Sequence, residues 1–147
     1  MARDPKGKTK VNQTSPNNAG LVTLPSAHRA TETVERLKAL LAQKGIQLFA
    51  HIDHAAEAKK AGLSLRPTLV LIFGNPQAGT PLMQSQQTIG LDLPLRVLVW
   101  EDEAGKVWLT YYPVHLLAQL HQVADRDEAV KSLDASLTAL VRTATNA

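Results

Sequence analysis

Two histidines and an aspartate crowd into one short segment, where His51, Asp53 and His54 occupy three of four consecutive positions. Imidazole nitrogens and a carboxylate oxygen are ligands that zinc and copper accept, and Met83 would add a thioether if its loop approached. The spacing therefore admits a metal-dependent enzyme or a metal carrier. The structural alternative, which we favour, makes Asp53 a helix cap, His51 a residue of a sheet face and His54 an exposed side chain.

The segment FGNPQAGTP, residues 73–81, has nearly the glycine spacing of a phosphate-binding loop. The lysine that should follow the second glycine is missing, and two prolines each remove a backbone N–H donor. Asn75-Pro76 and Thr80-Pro81 each have the pattern of a cap residue followed by proline at the first helical position. We therefore predict two helix starts in place of a nucleotide loop, with anion binding by their unpaired N–H groups as the alternative.

An arginine stands just before the most apolar run of the chain. Arg66 precedes Pro67, which favours extended backbone at the start of a strand. Its guanidinium can clamp a carboxylate or phosphate with two hydrogen bonds. It can also pair with Asp53 or Glu57 and so fix the loop, and this is the reading we prefer.

The remaining polar residues do not identify a reaction. The acidic run at 101–103 precedes a glycine turn and is typical of solvated loop charge. His115 and His121 are six positions apart on a predicted helix, so they point in different directions and are interpreted as surface histidines. No G-x-S-x-G motif accompanies them. The sequence leaves the question of an enzyme open, leans towards none, and predicts no cofactor.

Length and composition predict one folded domain. The chain has 147 residues and no cysteine, which excludes disulfides and thiolate chemistry. No apolar stretch is long enough to cross a bilayer, and the N-terminus lacks the apolar core of a secretory signal. We therefore expect no membrane partner and a cytoplasmic location.

The positive charge sits at one end of the chain. Residues 1–18 hold 4 basic residues and 1 acidic residue, which equals the whole formal charge of +3. This basic segment is interpreted as a disordered tail. The remaining sequence is neutral, so nucleic acid is not an expected partner of the folded body, although salt-dependent association through the tail alone is a third option.

Apolar periodicity predicts an α+β fold with a mainly antiparallel sheet and helices packed on one face. The predicted order is strand, helix, strand, minor helix, strand, minor helix, a two-stranded hairpin around Gly105, and terminal helices. Asp125 with Glu128 gives a capping pattern for the last helix. Alternation in IQLFAHI places Phe49 and His51 on one face of their strand and, on the other, Ile46, Leu48, Ala50 and Ile52.

Helices on one sheet face leave the other face to be explained. Phe49 and His51 would form an apolar–polar patch there with residues of the hairpin strand, either Leu98 and Trp100 or Val97 and Val99. Such a patch normally meets a partner or a ligand. We therefore predict a small binding module, with a small molecule or a protein as its partner, acting through the uncovered face. The candidate site residues are Phe49, His51, Arg66, Asn75, Thr80 and Trp100.

The chain resembles the domain of unknown function 302 family in blocks that occur together and in order. These are "GLVTLPSAHRATETVERL", "IDHAAEAKKAGLSLRPTLVLIFGNPQAGTPLM" and "IGLDLPLRVLVWEDEAGKVWLTYY", followed by the final helix. The resemblance begins near Gly20 and implies a single α+β domain over residues 19–147. It implies a TATA-binding-protein-like topology, β-α-β-β-β-β-α, and a homodimer. It implies no established reaction, cofactor or catalytic residue.

Overall fold

The structure is a computed structural model that describes residues 20–147; the predicted tail at 1–18 lies outside those residues. The predicted order of elements is confirmed. The strands are β1 (Val22–Pro25), β2 (Gln47–Asp53), β3 (Thr68–Gly74), β4 (Leu95–Glu101) and β5 (Val107–Tyr111). The helices are α1 (Ala30–Gln43), α2 (His54–Lys60), α3 (Pro76–Ser85), α4 (Val114–Leu120) and α5 (Asp127–Thr145), with a 3₁₀ helix at Gln87–Leu91.

The five strands form one antiparallel sheet in the order β1-β5-β4-β3-β2. The chain enters at one edge and crosses through α1 to the far edge. It then returns strand by strand, so neighbours from β2 to β5 are consecutive. The α+β class with an antiparallel sheet, predicted from the hairpin and the separate helical segments, is confirmed.

The helices cover one face of this sheet. Burial alternates along β3 and β4 because successive side chains point to opposite faces. Leu71 of β3 is paired with Val97 of β4, and Leu109 of β5 lies two residue pairs further along. All three are fully buried in a core with Leu37 of α1 and Val141 of α5. No helix in residues 20–147 is long and apolar enough to cross a membrane.

The opposite face, here called the open face, carries no helix of residues 20–147. The paired registers place on it Ala50, Ile52, Thr68, Val70, Ile72, Arg96, Leu98, Trp100, Trp108 and Thr110. Most of these side chains are half-buried by their neighbours in the sheet. The uncovered face predicted from the sequence is therefore present.

A bulge in β2 changes which residues reach the open face. Leu48 pairs with Phe73 and Ala50 with Ile72, so Phe49 is the extra residue between them. Beyond it the alternation is inverted, and His51 stands opposite the fully buried Leu71. The prediction that His51 reaches the open face is therefore wrong, because one inserted residue moves the rest of the strand to the other face.

Two of four predicted helix caps are confirmed. The Asp53 side chain accepts a hydrogen bond from the Ala56 N–H at 2.9 Å. The Asn75 side chain accepts one from the Gln77 N–H at 2.9 Å, with Pro76 in the first helical position.

The other two predicted caps are wrong. Thr80 and Pro81 lie inside α3, which runs on to Ser85. Pro81 removes only the bond to the carbonyl of Gln77, which is exposed and can bond water instead. The last helix is preceded by Arg126, while the Asp125 carboxylate accepts hydrogen bonds from the side chains of Ser85 and Arg126.

Candidate functional site

A cavity of about 200 Å³ opens at the end of the sheet where β3 passes into α3. This apolar cavity has walls from the bulge of β2, the first two turns of α3, the segment that leads into β4, and α5. Its lining residues are Phe49, Gly74, Asn75, Pro76, Ala78, Gly79, Thr80, Met83, Leu93, Pro94, Leu95 and Leu133. Three predicted site residues, Phe49, Asn75 and Thr80, therefore meet at one place.

Close backbone approach shapes the cavity. A Cβ built on Gly74 would lie 3.3 Å from Cβ of Pro94 and 4.0 Å from Cε2 of Phe49. A side chain at position 74 would push the segment 93–94 away by a few tenths of an ångström. The peptide bond between Leu93 and Pro94 is cis. Glycine at 74 is thus explained by packing in the cavity wall and not by a phosphate.

The part of the cavity wall formed by residues 20–147 is uncharged and carries two polar side chains at its rim. Asn75 uses its oxygen to cap α3, and its amide N–H₂ group has no hydrogen-bond partner among residues 20–147. The Thr80 hydroxyl likewise has none in the described part of the chain. Both residues are exposed to solvent. An apolar volume with a few polar groups at its mouth is the usual composition of a small-molecule site.

The start of α3 offers no ready donors to an anion. Pro76 has no N–H, and the Gln77 N–H is taken by the Asn75 side chain. The N–H groups of Ala78 and Gly79 both bond to the Asn75 carbonyl, at 2.9 and 3.0 Å. Because these donors are already paired, the alternative of anion binding at this helix start has no support in the geometry.

Trp100 belongs to a different surface. It lies on the open face, stacked on Trp108 with ring centroids 6.2 Å apart and planes at 25°. Its indole N–H donates to the Thr110 hydroxyl at 2.9 Å. Of the two predicted strand faces, Leu98 and Trp100 are the pair that reaches the open face, while Val97 and Val99 are buried in the core.

The structure does not bring His51, Asp53 and His54 together. Within residues 20–147 no group of three histidine, aspartate or glutamate side chains is arranged to hold a metal ion. Asp53 instead caps α2, and both histidines are exposed. The geometry of the described residues therefore gives the metal alternative no support.

Arg66 is exposed and forms neither of the ion pairs predicted for it. Its Nε donates to the backbone carbonyl of Glu101 at 3.3 Å, and the N–H of Glu101 bonds to the Pro67 carbonyl at 3.0 Å. Arg66 and Pro67 therefore fasten the loop after α2 to the end of β4. Arg66 does not line the apolar cavity.

The acidic run contains one ordered residue that the sequence interpretation missed. Asp102 accepts hydrogen bonds from the N–H groups of Ala104 and Lys106, each at 2.9 Å, and from the indole N–H of Trp108 at 2.8 Å. The Trp108 bond is the largest of the causes that lower the pKa of Asp102. The Lys106 ammonium lies 4.5 Å from the centre of the Trp108 ring. Asp102 therefore organises the turn of the hairpin.

His115 of α4 and His121, which directly follows that helix, are paired with carboxylates. His115 Nδ1 lies 2.7 Å from the Asp134 carboxylate, which also accepts from the backbone N–H of Val114. His121 Nε2 lies 2.5 Å from the Asp92 carboxylate, and its side chain is only 10% exposed. The interpretation of His121 as a surface residue is therefore wrong, because its partner is contributed by a segment 29 positions earlier in the chain.

The sequence interpretation also missed part of the cavity wall. Leu93, Pro94 and Leu133 looked like ordinary loop and helix residues, since nothing near them in the chain points to a site. The signal that was present is the density of glycine and proline in FGNPQAGTP, together with the proline of LDLPL. Glycine serves at close backbone approaches as well as in turns.

Comparison with known proteins identifies a family and a fold. The family model described as "Domain of unknown function DUF302" matches residues 22–143. The crystal structure of an uncharacterized conserved DUF302 protein from Bacillus stearothermophilus is similar with a TM-score of 0.77, at 20% identity. That similarity covers 85% of this chain and 98% of the other. At this identity it shows the fold alone.

Curated relatives of higher identity come from Brucella. A protein of Brucella suis biovar 1 (strain 1330) named "Fluoride-specific ion channel FluC 1" is 51% identical over 117 residues, which is 79% of this chain and 46% of the relative. Its namesake in Brucella abortus biovar 1 (strain 9-941) is also 51% identical, over 79% of this chain and 43% of the relative. The chain thus spans less than half the length of these relatives.

Proposed function

We propose that this chain, which belongs to the DUF302 family of domains of unknown function, is a binding module for a small, mostly apolar molecule. The ligand site is the apolar cavity between β3, α3 and the segment 93–95. The apolar cavity replaces the uncovered sheet face as the first candidate for ligand binding. Phe49, Asn75 and Thr80 remain site residues, whereas Arg66, His51 and Trp100 do not belong to this site.

One observation carries the proposal: the two polar groups of the cavity that lack hydrogen-bond partners among the described residues stand at the mouth of an uncharged volume. A charged ligand would lose water there without gaining an opposite charge, which is costly. A neutral ligand with one hydrogen-bond acceptor can receive hydrogens from the Asn75 amide and the Thr80 hydroxyl. The volume of about 200 Å³ matches a ring or short alkyl chain in size. Small neutral ketones, esters and lactones have this chemistry.

The test is a titration followed by amide resonances in NMR, with cyclohexanone as the acceptor-bearing probe and cyclohexane as its apolar counterpart. We expect cyclohexanone to shift resonances of residues 74–83 and 93–95. Thr80→Val keeps the shape of the side chain and removes the hydroxyl, so it should weaken cyclohexanone binding about tenfold, equivalent to about 1.4 kcal/mol. Cyclohexane should bind both proteins alike.

Thr31→Val is the matched control, since Thr31 is exposed on α1 and outside the cavity lining. It should leave both affinities unchanged. The proposal is wrong if neither probe perturbs the cavity residues. It is also wrong if Thr31→Val weakens cyclohexanone binding as much as Thr80→Val does.

A second candidate function is self-association through the open face. What supports it is composition: most of the open-face residues named above are apolar, and the charged groups on this face within residues 20–147 include Arg96 and the Lys106 ammonium over the Trp108 ring. Two copies related by a two-fold axis would therefore meet mostly apolar surface with mostly apolar surface. Leu98→Asp, in the middle of the face, should convert a dimer to a monomer in native mass spectrometry. Leu120→Asp, on an exposed leucine of α4, should not, and a monomeric parent protein would dismiss this candidate.

The channel name of the Brucella relatives supplies no function for this chain. It describes proteins of which the matched segment is less than half. The described residues 20–147 contain no helix suited to crossing a membrane. A binding module is therefore the function we propose for this segment, whatever the rest of those relatives does.

A further inference from the structure

A second cavity, of about 240 Å³, lies on the other side of the segment that leads into β4. Its lining is Asp92, Leu95, Arg96, Tyr112 and Leu117. This polar cavity brings together the start of β4, the residue that follows β5, and α4. It shares only Leu95 with the apolar cavity, and its chemistry is different, because it contains both an anion and a cation.

The two charges of the polar cavity do not neutralise each other. Asp92 and Arg96 form no ion pair within 4.0 Å although they line one cavity. Within residues 20–147, neither the Arg96 guanidinium nor the Tyr112 hydroxyl has a hydrogen-bond partner. Both side chains are exposed. The Arg96 guanidinium and the Tyr112 hydroxyl therefore keep unused hydrogen-bonding capacity at this cavity.

Asp92 is held in place while keeping one oxygen for a ligand. Its Oδ2 lies 2.5 Å from Nε2 of His121, and Nδ1 of the same ring lies 3.1 Å from the Thr88 hydroxyl. These contacts hold the Asp92 carboxylate through its Oδ2 atom. Oδ1 has no hydrogen bond within residues 20–147. His121 is thus a positioning residue for the free oxygen of Asp92.

From this arrangement we infer that the polar cavity binds a small aliphatic α-amino acid. The planar guanidinium of Arg96 matches a carboxylate through two parallel hydrogen bonds, and the Tyr112 hydroxyl adds a donor. The free oxygen of Asp92 accepts from the ammonium group. Leu95 and Leu117 are almost fully buried and give the alkyl side chain an apolar floor. The inference does not depend on the proposed function of the apolar cavity.

The experiment is an NMR titration of the full chain at millimolar concentrations of L-alanine, acetate and ethylammonium. L-alanine should shift the amide resonances of residues 92, 96 and 112 and bind at least tenfold more tightly than either single-charge probe. Arg96→Gln should weaken L-alanine binding at least tenfold. Arg66→Gln, which removes a second exposed arginine outside the cavity, should leave it unchanged.

Three results would overturn the inference. One is that L-alanine shifts none of these resonances while the spectrum shows a folded protein. Another is that Arg96→Gln binds L-alanine as the parent does. The third is that acetate binds as tightly as L-alanine, because Asp92 would then play no part and the cavity would be a simple carboxylate site. Tyr112→Phe, a milder change at an exposed ring, provides the second variant and should weaken binding by a smaller factor.

Discussion

Gly74 and Pro94 lie in direct contact across the wall of the apolar cavity, such that a Cβ on residue 74 would stand 3.3 Å from Cβ of Pro94. The two residues belong to different sequence blocks, one at the end of β3 and one before β4. Their contact closes the cavity on the side of the sheet. Gly79 lines the same cavity from α3, where a Cβ would meet Cδ1 of Leu93 at 3.6 Å, an ordinary contact.

This difference predicts opposite effects of two alanine substitutions on stability. Gly74→Ala forces the segment at Pro94 to move and should lower the free energy of unfolding by about 1 kcal/mol. Gly79→Ala lies inside a helix without a clash and should raise it by about 0.5–1 kcal/mol. Denaturant unfolding measures both. Gly79→Ala should nevertheless weaken cyclohexanone binding, because its methyl group enters the cavity. Equal changes in the free energy of unfolding of the two variants would contradict the contact between Gly74 and Pro94.

The turn of the hairpin predicts a pH dependence. The pKa of Asp102 lies below its usual value of 3.8, mainly because the Trp108 indole N–H bonds to the ionised carboxylate. A carboxylate with a lowered pKa in the folded state stabilises the protein above its unfolded pKa, and that stabilisation is lost as the pH falls through the folded value. Asp102→Asn should therefore be less stable than the parent at neutral pH, and the gap should close below about pH 4.

Urea unfolding of both proteins between about pH 6 and pH 2, followed by tryptophan fluorescence, measures that gap. Asp125, whose pKa is lowered chiefly by the Ser85 hydroxyl, is present in both proteins and cancels in the difference. A gap that stays constant across this range would mean that the ionised form of Asp102 has no special role.

The end of α4 predicts a stabilising substitution. Gln122 has φ of 57°, which is a left-handed backbone conformation. It directly follows His121, the residue that caps the C-terminus of α4. The Val123 N–H bonds to the Ala118 carbonyl at 2.8 Å, and the Gln122 N–H to the Gln119 carbonyl at 3.2 Å, the pattern in which glycine is preferred. Gln122→Gly should therefore raise the free energy of unfolding by about 0.5–1 kcal/mol.

Gln119→Gly provides the matched control on the same helix. Gln119 is an exposed helical residue, so glycine there should lower stability by about 1 kcal/mol. Thermal or denaturant unfolding distinguishes the two. If both glycine variants destabilise the protein, the side chain of Gln122 contributes more than its backbone strain costs.

Much of the fold was already determined by the sequence, because local chemistry decides it. Alternating and continuous apolar runs predicted all five strands, and Asp53 and Asn75 were identified as caps from their positions before helices. These features depend on residues a few positions apart. The α+β class followed from the order of the elements, whereas the TATA-binding-protein-like arrangement and the homodimer remain predictions.

Only the tertiary structure decided where the site residues lie. The bulge at Phe49 exists because β2 pairs with β3 in one register, and it moved His51 away from the face predicted for it. The contact of Gly74 with Pro94 and the pairing of Asp92 with His121 join segments that are distant in the chain. Periodicity along a strand carries no information about its partner's register or about which loops meet. For that reason the sequence supplied the residues of both cavities, and packing alone assembled them.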